Sequence, residues 1–360
     1  MLVEEISPIV IRVMWFVWGA LWGSFFNVAI YRWPREMSVV SPPSHCPSCG
    51  APVPAWRNLP IVAYVVQRGR AACCGAKLTP RYLVVEVLSA CLAVAVAERF
   101  VVGSPPDRNL LEASLEALVW FAFVGGLVIA TFVDLEHMQI PDEVSLGGTA
   151  LGLATVTLRS DVDVASVAVG AGVAYLVMQL VPVWGWERLT GQRGMGEGDA
   201  KLLMCIGTFL GWQGVLFVIA AASLQGTLGW LAQLAWRAHA GAPSPTAETS
   251  RTRDGTSADP DASGDDVDAS SADDEEDVAE AEGERSARAE LEVDLPGKVV
   301  AHARAKDDRI RIVLRYRLDP GAPDAPHVRF GPFLALAALE FLFFGNRIVA
   351  WYVDTVFATD

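Results

Sequence analysis

The stretch ALVWFAFVGGLVIATFV, residues 117–133, decides the fold, because 17 residues pass without a charge before Asp134 follows. A helix that crosses the hydrocarbon core of a bilayer needs about 20 mostly apolar residues. Comparable runs recur along the chain, and a soluble enzyme would not bury so many of them. We therefore predict a protein that crosses a membrane several times. The other runs are Val13–Tyr31, Tyr82–Ala97, Val144–Leu158, Val164–Trp186, Leu202–Trp236 and Phe330–Val353.

The longest of these runs predicts a break. Leu202–Trp236 holds 35 uncharged residues. As one helix, it would extend about 52 Å at a rise of 1.5 Å per residue. That length exceeds one crossing of the bilayer, and Gly211-Trp212-Gln213-Gly214 offers a point of reversal. Counted in this way, the chain is an all-α polytopic membrane protein with about eight transmembrane segments.

The negative charge sits in one block. The formal net charge is -14, although 52% of the residues are hydrophobic. Between Arg251 and Val300 there are 17 acidic and 5 basic residues, so the rest of the chain is close to neutral. Residues 241–296 lack aromatic side chains and predict a disordered acidic insertion, either a solvated linker or a segment that binds a basic partner or ions. Beyond it, alternation over Arg309–Leu318 predicts a strand that pairs with Val299–Ala305 in a small hairpin.

A basic loop sets the orientation. The segment Arg32–Arg81 contains seven Arg and Lys residues and one acid, Glu36. Positively charged loops remain in the cytoplasm, so both termini are expected outside and the acidic insertion inside. The predicted organisation is a first transmembrane segment (1–31), a cytoplasmic cysteine-containing loop (32–81), a transmembrane core (82–236), the cytoplasmic insertion (237–329) and a last transmembrane segment (330–360).

Two aspartates stand at ends of apolar runs. Asp134 ends one run and Asp199 opens another, and the predicted topology places both at the cytoplasmic face. Each alone also fits an ordinary helix end or cap. Held together, two carboxyl groups share one proton, so that the ionised member activates water and the protonated member donates to a peptide carbonyl. The pair therefore predicts peptide-bond hydrolysis, with Glu136 and Glu197 expected to tune the local field.

Four cysteines of the basic loop predict a metal site. The sequence Cys46-Pro47-Ser48-Cys49-Gly50 has the spacing of half a zinc knuckle. Cys73 and Cys74 supply two further thiols, which completes the four ligands of a structural zinc ion. A disulfide is disfavoured because a cytoplasmic loop is kept reduced. Cys91 and Cys205 lie within apolar runs and are expected to be small buried side chains.

These residues resemble a known family. Gly194–Leu202 resembles the Gly-x-Gly-Asp motif of the type IV prepilin peptidases, and Asp134 with Ile140-Pro141-Asp142 resembles their first catalytic segment. The resemblance implies that Asp134 and Asp199 are the catalytic aspartates of an enzyme that removes the leader of prepilins and pseudopilins, with Asp142 in a supporting role. Other segments that resemble this family are Gly23–Arg32, Arg81–Glu86 and Phe330–Ala335.

The resemblance includes the cysteine loop and implies a second activity, methylation of the new N-terminal amine with S-adenosylmethionine. Members of the family with this loop usually carry a second Cys-x-x-Cys, whereas here Ala71 occupies one of its positions and Cys73 is an extra cysteine. Glu86 is the candidate for contacting the amine or the cofactor. An ion pair with Arg81 is an equally good explanation of this acid.

The expected partners are prepilin-like substrates and the lipids of a bacterial inner membrane, with no nucleic acid. One alternative is a peptidase without methyltransferase activity. A second is an ion-coupled transporter that uses intramembrane acids such as Glu340, and a third is a zinc-stabilised scaffold with inactive aspartates. A transporter gives no reason for two aspartates at one face or for the cysteine loop. Replacing either aspartate with Asn separates the peptidase from the scaffold.

Overall fold

The structure is a computed structural model that describes residues 3–46, 48–160, 162–190, 196–239, 290–295, 299–306, 309–316 and 329–357. The chain divides into two compact units. The first comprises Met1–Ala235 and Val328–Asp360, and the second comprises Trp236–His327.

The first unit is helical, and several of its helix ends are set by local chemistry. The first helix begins at Pro8, which lacks an N–H that the helix would leave unpaired. The side chain of Asn109 accepts from the N–H of Leu111 at 2.9 Å where the fourth helix begins, and this bond caps the helix. The helices are α1 (Pro8–Arg32), α2 (Val62–Val66), α3 (Arg81–Ala97), α4 (Leu110–His137), α5 (Asp142–Ala154), α6 (Val164–Met178), α7 (Trp186–Thr190), α8 (Glu197–His239) and α9 (Gly331–Phe357).

Four helical segments within the described residues are long and apolar enough to cross a membrane. The sequence predicts about eight segments, and this number is not confirmed. The helix α3 has 17 residues and continues into a π-helical turn, Glu98–Val102. The helix α5 has only 13 residues and is shorter than a full span. Gly331–Gly345 is a shorter apolar helix. The four long segments are Pro8–Arg35, Leu110–His137, Val164–Leu189 and Glu197–Trp236.

The break predicted within the longest apolar run is confirmed. Gly211 has a φ of 70° and a ψ of -177°, which interrupts α8 in a conformation that favours glycine. The first part of α8 crosses α6 with direct backbone contact. A Cβ atom on Gly170 would lie 2.7 Å from the Gly211 carbonyl carbon, and one on Gly207 would lie 2.6 Å from the Gly170 oxygen. Glycines at both positions therefore permit the close crossing.

A buried arginine holds the end of the first part of α8. The guanidinium of Arg159 donates to the backbone oxygens of Gly152, Thr208 and Phe209. The last two carbonyls lie just before the break, where a helix leaves its carbonyls unpaired. The guanidinium also lies 4.8 Å from the centre of the Phe209 ring. Arg159 therefore supplies hydrogen bonds to backbone oxygens at the break in α8, inside the bundle. The sequence analysis did not identify this residue.

The second unit contains a three-stranded antiparallel sheet of β1 (Glu290–Leu295), β2 (Val299–Lys306) and β3 (Arg309–Tyr316), in that order. Leu295 pairs with Val299, and Val299 pairs with Tyr316, so β2 and β3 form the hairpin that alternation indicated. The prediction that disorder extends to about Pro296 is wrong for β1, because Glu290–Leu295 alternates acidic and apolar residues and fits a strand. Residues 240–289, the greater part of the acidic insertion, lie outside the described residues.

Candidate active site

Asp134 lies in the last turn of α4. Its side chain is buried, with 7% of the residue exposed, and its backbone oxygen accepts from the N–H of Met138 at 3.0 Å. Met138 has a φ of 54°, which ends the helix in the left-handed region. The chain then passes through Ile140 and enters α5 at Asp142. The helix end therefore fixes Asp134 one turn before a sharp change of direction.

Asp199 lies in the first turn of α8, and glycine allows this turn to approach α4. The N–H of Asp199 donates to the Gly196 oxygen at 3.2 Å. A Cβ atom on Gly198 would lie 3.2 Å from the Cβ atom of Ile140, so the start of α8 packs closely against the connection between α4 and α5. This packing brings Asp199 near enough to Asp134 for the two carboxyl groups to interact electrostatically.

The two carboxyl groups have different surroundings. Asp134 lies near the positively charged Arg329 and the backbone N–H of Gly331. Its Oδ2 atom is buried and lacks a well-formed hydrogen bond within the described part of the chain. Asp199 interacts with the backbone N–H of Gly196. A buried carboxylate oxygen whose hydrogen bonds are incomplete suits a group that binds a substrate or a water molecule.

The start of α9 forms one wall of this site. A Cβ atom on Gly331 would lie 2.8 Å from Oδ2 of Asp134 and 3.2 Å from its Cγ. Gly331 belongs to a segment that resembles the peptidase family, but its role beside Asp134 could not be recognised in the sequence. Arg329 was also missed, because a basic residue that precedes an apolar run is usually read only as a sign of topology.

Replacing Gly331 with Ala is expected to lower the rate of peptide cleavage by about 10- to 100-fold, because a shift of about 1 Å at a reacting group has a cost of this order. The added methyl group meets the end of a side chain, which can turn aside, so the protein should remain folded. Gly172→Ala is the matched control, because a Cβ atom there meets nothing within 4 Å. Cleavage rates and melting temperatures of both variants check this expectation. A Gly331→Ala enzyme that cleaves at the wild-type rate would contradict the described contact.

Two ion pairs connect the helices around the aspartates. Lys201 of α8 donates to Oδ1 of Asp142 in α5 at 2.7 Å, which fits the supporting role expected of Asp142. Arg81 of α3 pairs with Glu136 of α4. The alternative explanation of Glu86, an ion pair with Arg81, is therefore not supported, because Arg81 is engaged elsewhere.

The four predicted thiols form one cluster. The sulfur atoms of Cys46, Cys49, Cys73 and Cys74 all lie within 4.8 Å of one another. Individual separations are 3.8 Å for Cys46 and Cys74, 3.4 Å for Cys49 and Cys73, and 3.9 Å for Cys73 and Cys74. Four sulfurs bound tetrahedrally at 2.3 Å to zinc are about 3.8 Å apart. The cluster therefore fits a structural zinc ion.

Two matching turns build this cluster. The N–H of Gly50 donates to the Cys46 oxygen at 2.9 Å, and the N–H of Gly75 donates to the Ala71 oxygen at 2.7 Å. Both glycines have a φ of 71°. Ala71 thus occupies the position that Cys46 has in the first turn. Cys73 supplies the sulfur that Ala71 lacks, so the displaced cysteine does not prevent a set of four ligands.

The thiols influence one another strongly. Backbone N–H groups of Cys49 and Ser48 lower the pKa of the Cys46 thiol to about 6. Hydrogen bonding with the sulfurs of Cys49 and Cys46 raises the pKa of the Cys73 thiol to about 12. Four crowded thiols therefore do not all ionise without a cation, and a divalent metal ion would supply that charge.

Glu86 lies apart from the described contacts of the aspartates. It is 8% exposed, and its Oε2 atom accepts from the backbone N–H of Ile61 at 2.7 Å. The other acid within an apolar helix, Glu340, accepts from the side-chain amide of Gln225 at 2.8 Å. This bond gives Glu340 a structural partner inside the helix bundle.

A bundle of apolar helices with two interacting aspartates at helix ends defines a membrane peptidase of the aspartic type. The chain belongs to the type IV leader peptidase family. The model of that family matches residues 121–231, and a model described as the bacterial peptidase A24 N-terminal domain matches residues 17–100. The chain is therefore an enzyme, an aspartic-type endopeptidase.

Several characterised relatives support this assignment. A prepilin leader peptidase/N-methyltransferase of Aeromonas hydrophila is 34% identical over 248 residues, which cover 62% of this chain and 81% of the relative. The protein of the same name from Pseudomonas putida is 34% identical over 234 residues, with 59% and 77% covered. The one from Myxococcus xanthus is 31% identical over 216 residues, with 60% and 61% covered. No solved structure matches the chain.

Proposed function

We propose that this enzyme removes the leader peptide of prepilins and pseudopilins at the cytoplasmic face of the bacterial inner membrane and then methylates the new N-terminal amine. The observation that carries the proposal is that Asp134 and Asp199 stand at the ends of two apolar helices, close enough for their carboxyl groups to interact electrostatically. The names of the relatives supply the substrate class and the second activity.

The different surroundings of the two aspartates support different roles for them. Arg329 and the backbone N–H of Gly331 lie near Asp134, so we take Asp134 as the member that accepts a proton from the attacking water. Asp199 holds the shared proton and donates it to the oxygen of the scissile carbonyl. In the second half of the reaction, one of the pair donates a proton to the leaving amine. Burial of the pair strengthens these interactions because little water surrounds it.

The orientation follows from the basic loop. The loop Arg32–Arg81 lies in the cytoplasm by the positive-inside rule, and the family N-terminal domain matches across it. The acidic insertion then also lies in the cytoplasm. We retain the proposal that α3, α5 and α9 cross or enter the membrane beside the four longer spans. With α8 counted as two segments because of its break at Gly211, the total is about eight.

We expect the zinc ion and S-adenosylmethionine to bind at or beside the basic loop. Cys46, Cys49, Cys73 and Cys74 would hold a structural zinc ion that fixes the two turns of the loop. Bound S-adenosylmethionine supplies the methyl group: the lone pair of the substrate amine forms the new N–C bond, the C–S bond breaks with its electron pair on sulfur, and the amine gives up one proton. Glu86 remains the candidate contact for this chemistry.

Incubation of the purified enzyme with a prepilin and isotopically labelled S-adenosylmethionine tests the proposal. Mass spectrometry should find the leader, the shortened pilin and a labelled methyl group on its N-terminus. Cleavage without a labelled methyl group would support the peptidase activity and contradict the methyltransferase activity. A prepilin that stays intact under conditions in which a relative processes it would overturn the proposal as a whole.

A further inference from the structure

A cavity of about 220 Å³ lies among the end of α1, the cysteine loop and the start of α3. Its lining mixes polar, charged and apolar side chains. The charged groups are the buried carboxyl group of Glu86 and the guanidinium groups of Arg32 and Arg57, and the sulfur cluster contributes Cys46 and Cys73. The aromatic rings that line it are Tyr31, Tyr64 and Tyr82.

Glu86 is placed in this cavity by contacts from two other segments. The N–H of Ile61 in the loop hydrogen-bonds to its carboxyl group, and the hydroxyl of Ser24 in α1 lies close enough to influence that group. Gly23 makes this possible, since a Cβ atom there would lie 2.8 Å from the Cα atom of Glu86. The carboxyl group is thus held by α1 and the loop at the point where they meet α3.

Ile61, which donates this hydrogen bond to Glu86, has a strained backbone conformation. Ile61 has a φ of 63° and a ψ of -55°, a conformation that is a genuine outlier for a β-branched residue. Such strain costs on the order of a few RT and persists where surrounding structure imposes it, commonly at ligand sites. Here the strained residue directs its N–H to Glu86.

The basic residues around Glu86 have other contacts. Arg81 pairs with Glu136, and Arg32 donates to the backbone oxygens of Ser38 and Pro42. The guanidinium of Arg57, which also lines the cavity, lies 4.5 Å from the centre of the Trp56 ring. No ion pair of Glu86 occurs in the part of the chain that the structure describes. A buried carboxylate beside aromatic rings suits a cation that is desolvated against both.

From this arrangement we propose that the cavity binds the methyl donor, with the sulfonium group of S-adenosylmethionine between the Glu86 carboxylate and the tyrosine rings. The inference rests on the proposed methyltransferase activity and locates its methyl donor in this cavity. The substrate's ammonium group is the other cation of the reaction. An amine must be neutral to accept a methyl group, and a nearby carboxylate favours its protonated form. The sulfonium is permanently charged and has no such conflict.

The sulfur cluster also forms part of the cavity wall. Because Cys46 and Cys73 line the cavity, the turns that a metal ion holds together also shape the donor site. Gly69, with a φ of 67°, lies under Tyr64, whose hydroxyl would be 3.0 Å from a Cβ atom at that position. The loop therefore sets the position of a ring as well as that of the N–H of Ile61.

Equilibrium binding to the purified full-length enzyme tests the site. The probes are S-adenosylmethionine and S-adenosylhomocysteine, the neutral thioether that differs by the methyl group and its charge. The wild-type enzyme should bind the sulfonium compound about tenfold more tightly than the thioether. Glu86→Gln should weaken sulfonium binding by about tenfold and leave thioether binding unchanged, which abolishes this preference.

Control variants distinguish the effect of removing the Glu86 charge from a general loss of folding. Glu98→Gln removes an acid just beyond the same helix, where Glu98 pairs with Arg12 at 2.8 Å, and should not change donor binding. Tyr64→Phe keeps the ring and should bind normally, whereas Tyr64→Leu should bind severalfold more weakly. Unchanged binding by Glu86→Gln in an enzyme that methylates would overturn the cavity assignment alone. A wild-type enzyme that cleaves but neither binds the donor nor methylates would overturn the proposed methyltransferase as well.

Discussion

Replacing Asp134 or Asp199 with Asn is expected to lower the rate of prepilin cleavage by about 10³- to 10⁴-fold, because each variant removes one half of a proton-sharing pair. Asn has nearly the same shape as Asp, so helix packing around Gly198 and Ile140 should not change. The double variant should be no slower than the slower single variant, since residues that act as a unit have effects that do not add. Rates measured with a purified prepilin under single-turnover conditions check both statements.

Asp142→Asn is the matched control for this experiment. Asp142 follows Asp134 closely in the chain and pairs with Lys201, but its side chain is 57% exposed. Loss of an exposed ion pair has a small effect, so cleavage should fall by no more than severalfold. The Asn variants of the pair should still methylate a prepilin from which the leader has already been removed. If an Asp134→Asn or Asp199→Asn enzyme kept more than about a tenth of the wild-type rate, this result would contradict the proposed hydrolytic role of the pair.

Local sequence patterns were sufficient for the main helices and for one break. Apolar runs predict α4 and α6, and the glycine at position 211 interrupts α8 where the pattern places a reversal. These features depend on residues close in the chain. The two aspartates were also recognisable, because each stands where an apolar run meets a polar segment. Their contact was only an expectation.

Other features depend on packing between distant segments, which a local pattern does not contain. The approach of α8 to α4 requires Gly198 to lie against Ile140, and no property of either residue alone specifies this contact. The partner of Arg81 is Glu136 from another helix rather than an acid of its own helix. Likewise, Cys73 replaces the sulfur missing at Ala71 only because two turns lie face to face.

Loss of zinc is expected to disorder the basic loop while the helix bundle stays folded. The purified wild-type enzyme should contain about one zinc ion per chain, held by the four clustered thiols. Cys46→Ser removes the most deeply buried of these ligands, at 4% exposure, and should reduce the zinc content to near zero. Zinc binding and folding of such small loops are coupled, so trypsin should then cut the loop after Arg57, Arg68 or Arg70 under conditions that leave the wild-type loop intact. Elemental mass spectrometry and limited proteolysis measure the two effects.

Cys91→Ser is the control, because Cys91 lies in α3 outside the cluster and should leave zinc content and proteolysis unchanged. A strong chelator should reproduce the Cys46→Ser pattern in the wild-type enzyme, and added zinc should reverse it. Because the cluster lines the cavity around Glu86 and not the surroundings of Asp134, zinc loss should reduce methylation much more than cleavage. Wild-type enzyme that carries no zinc, and in which all four thiols react freely with a thiol reagent, would contradict the metal site. Equal loss of both activities would show instead that the loop supports the whole bundle.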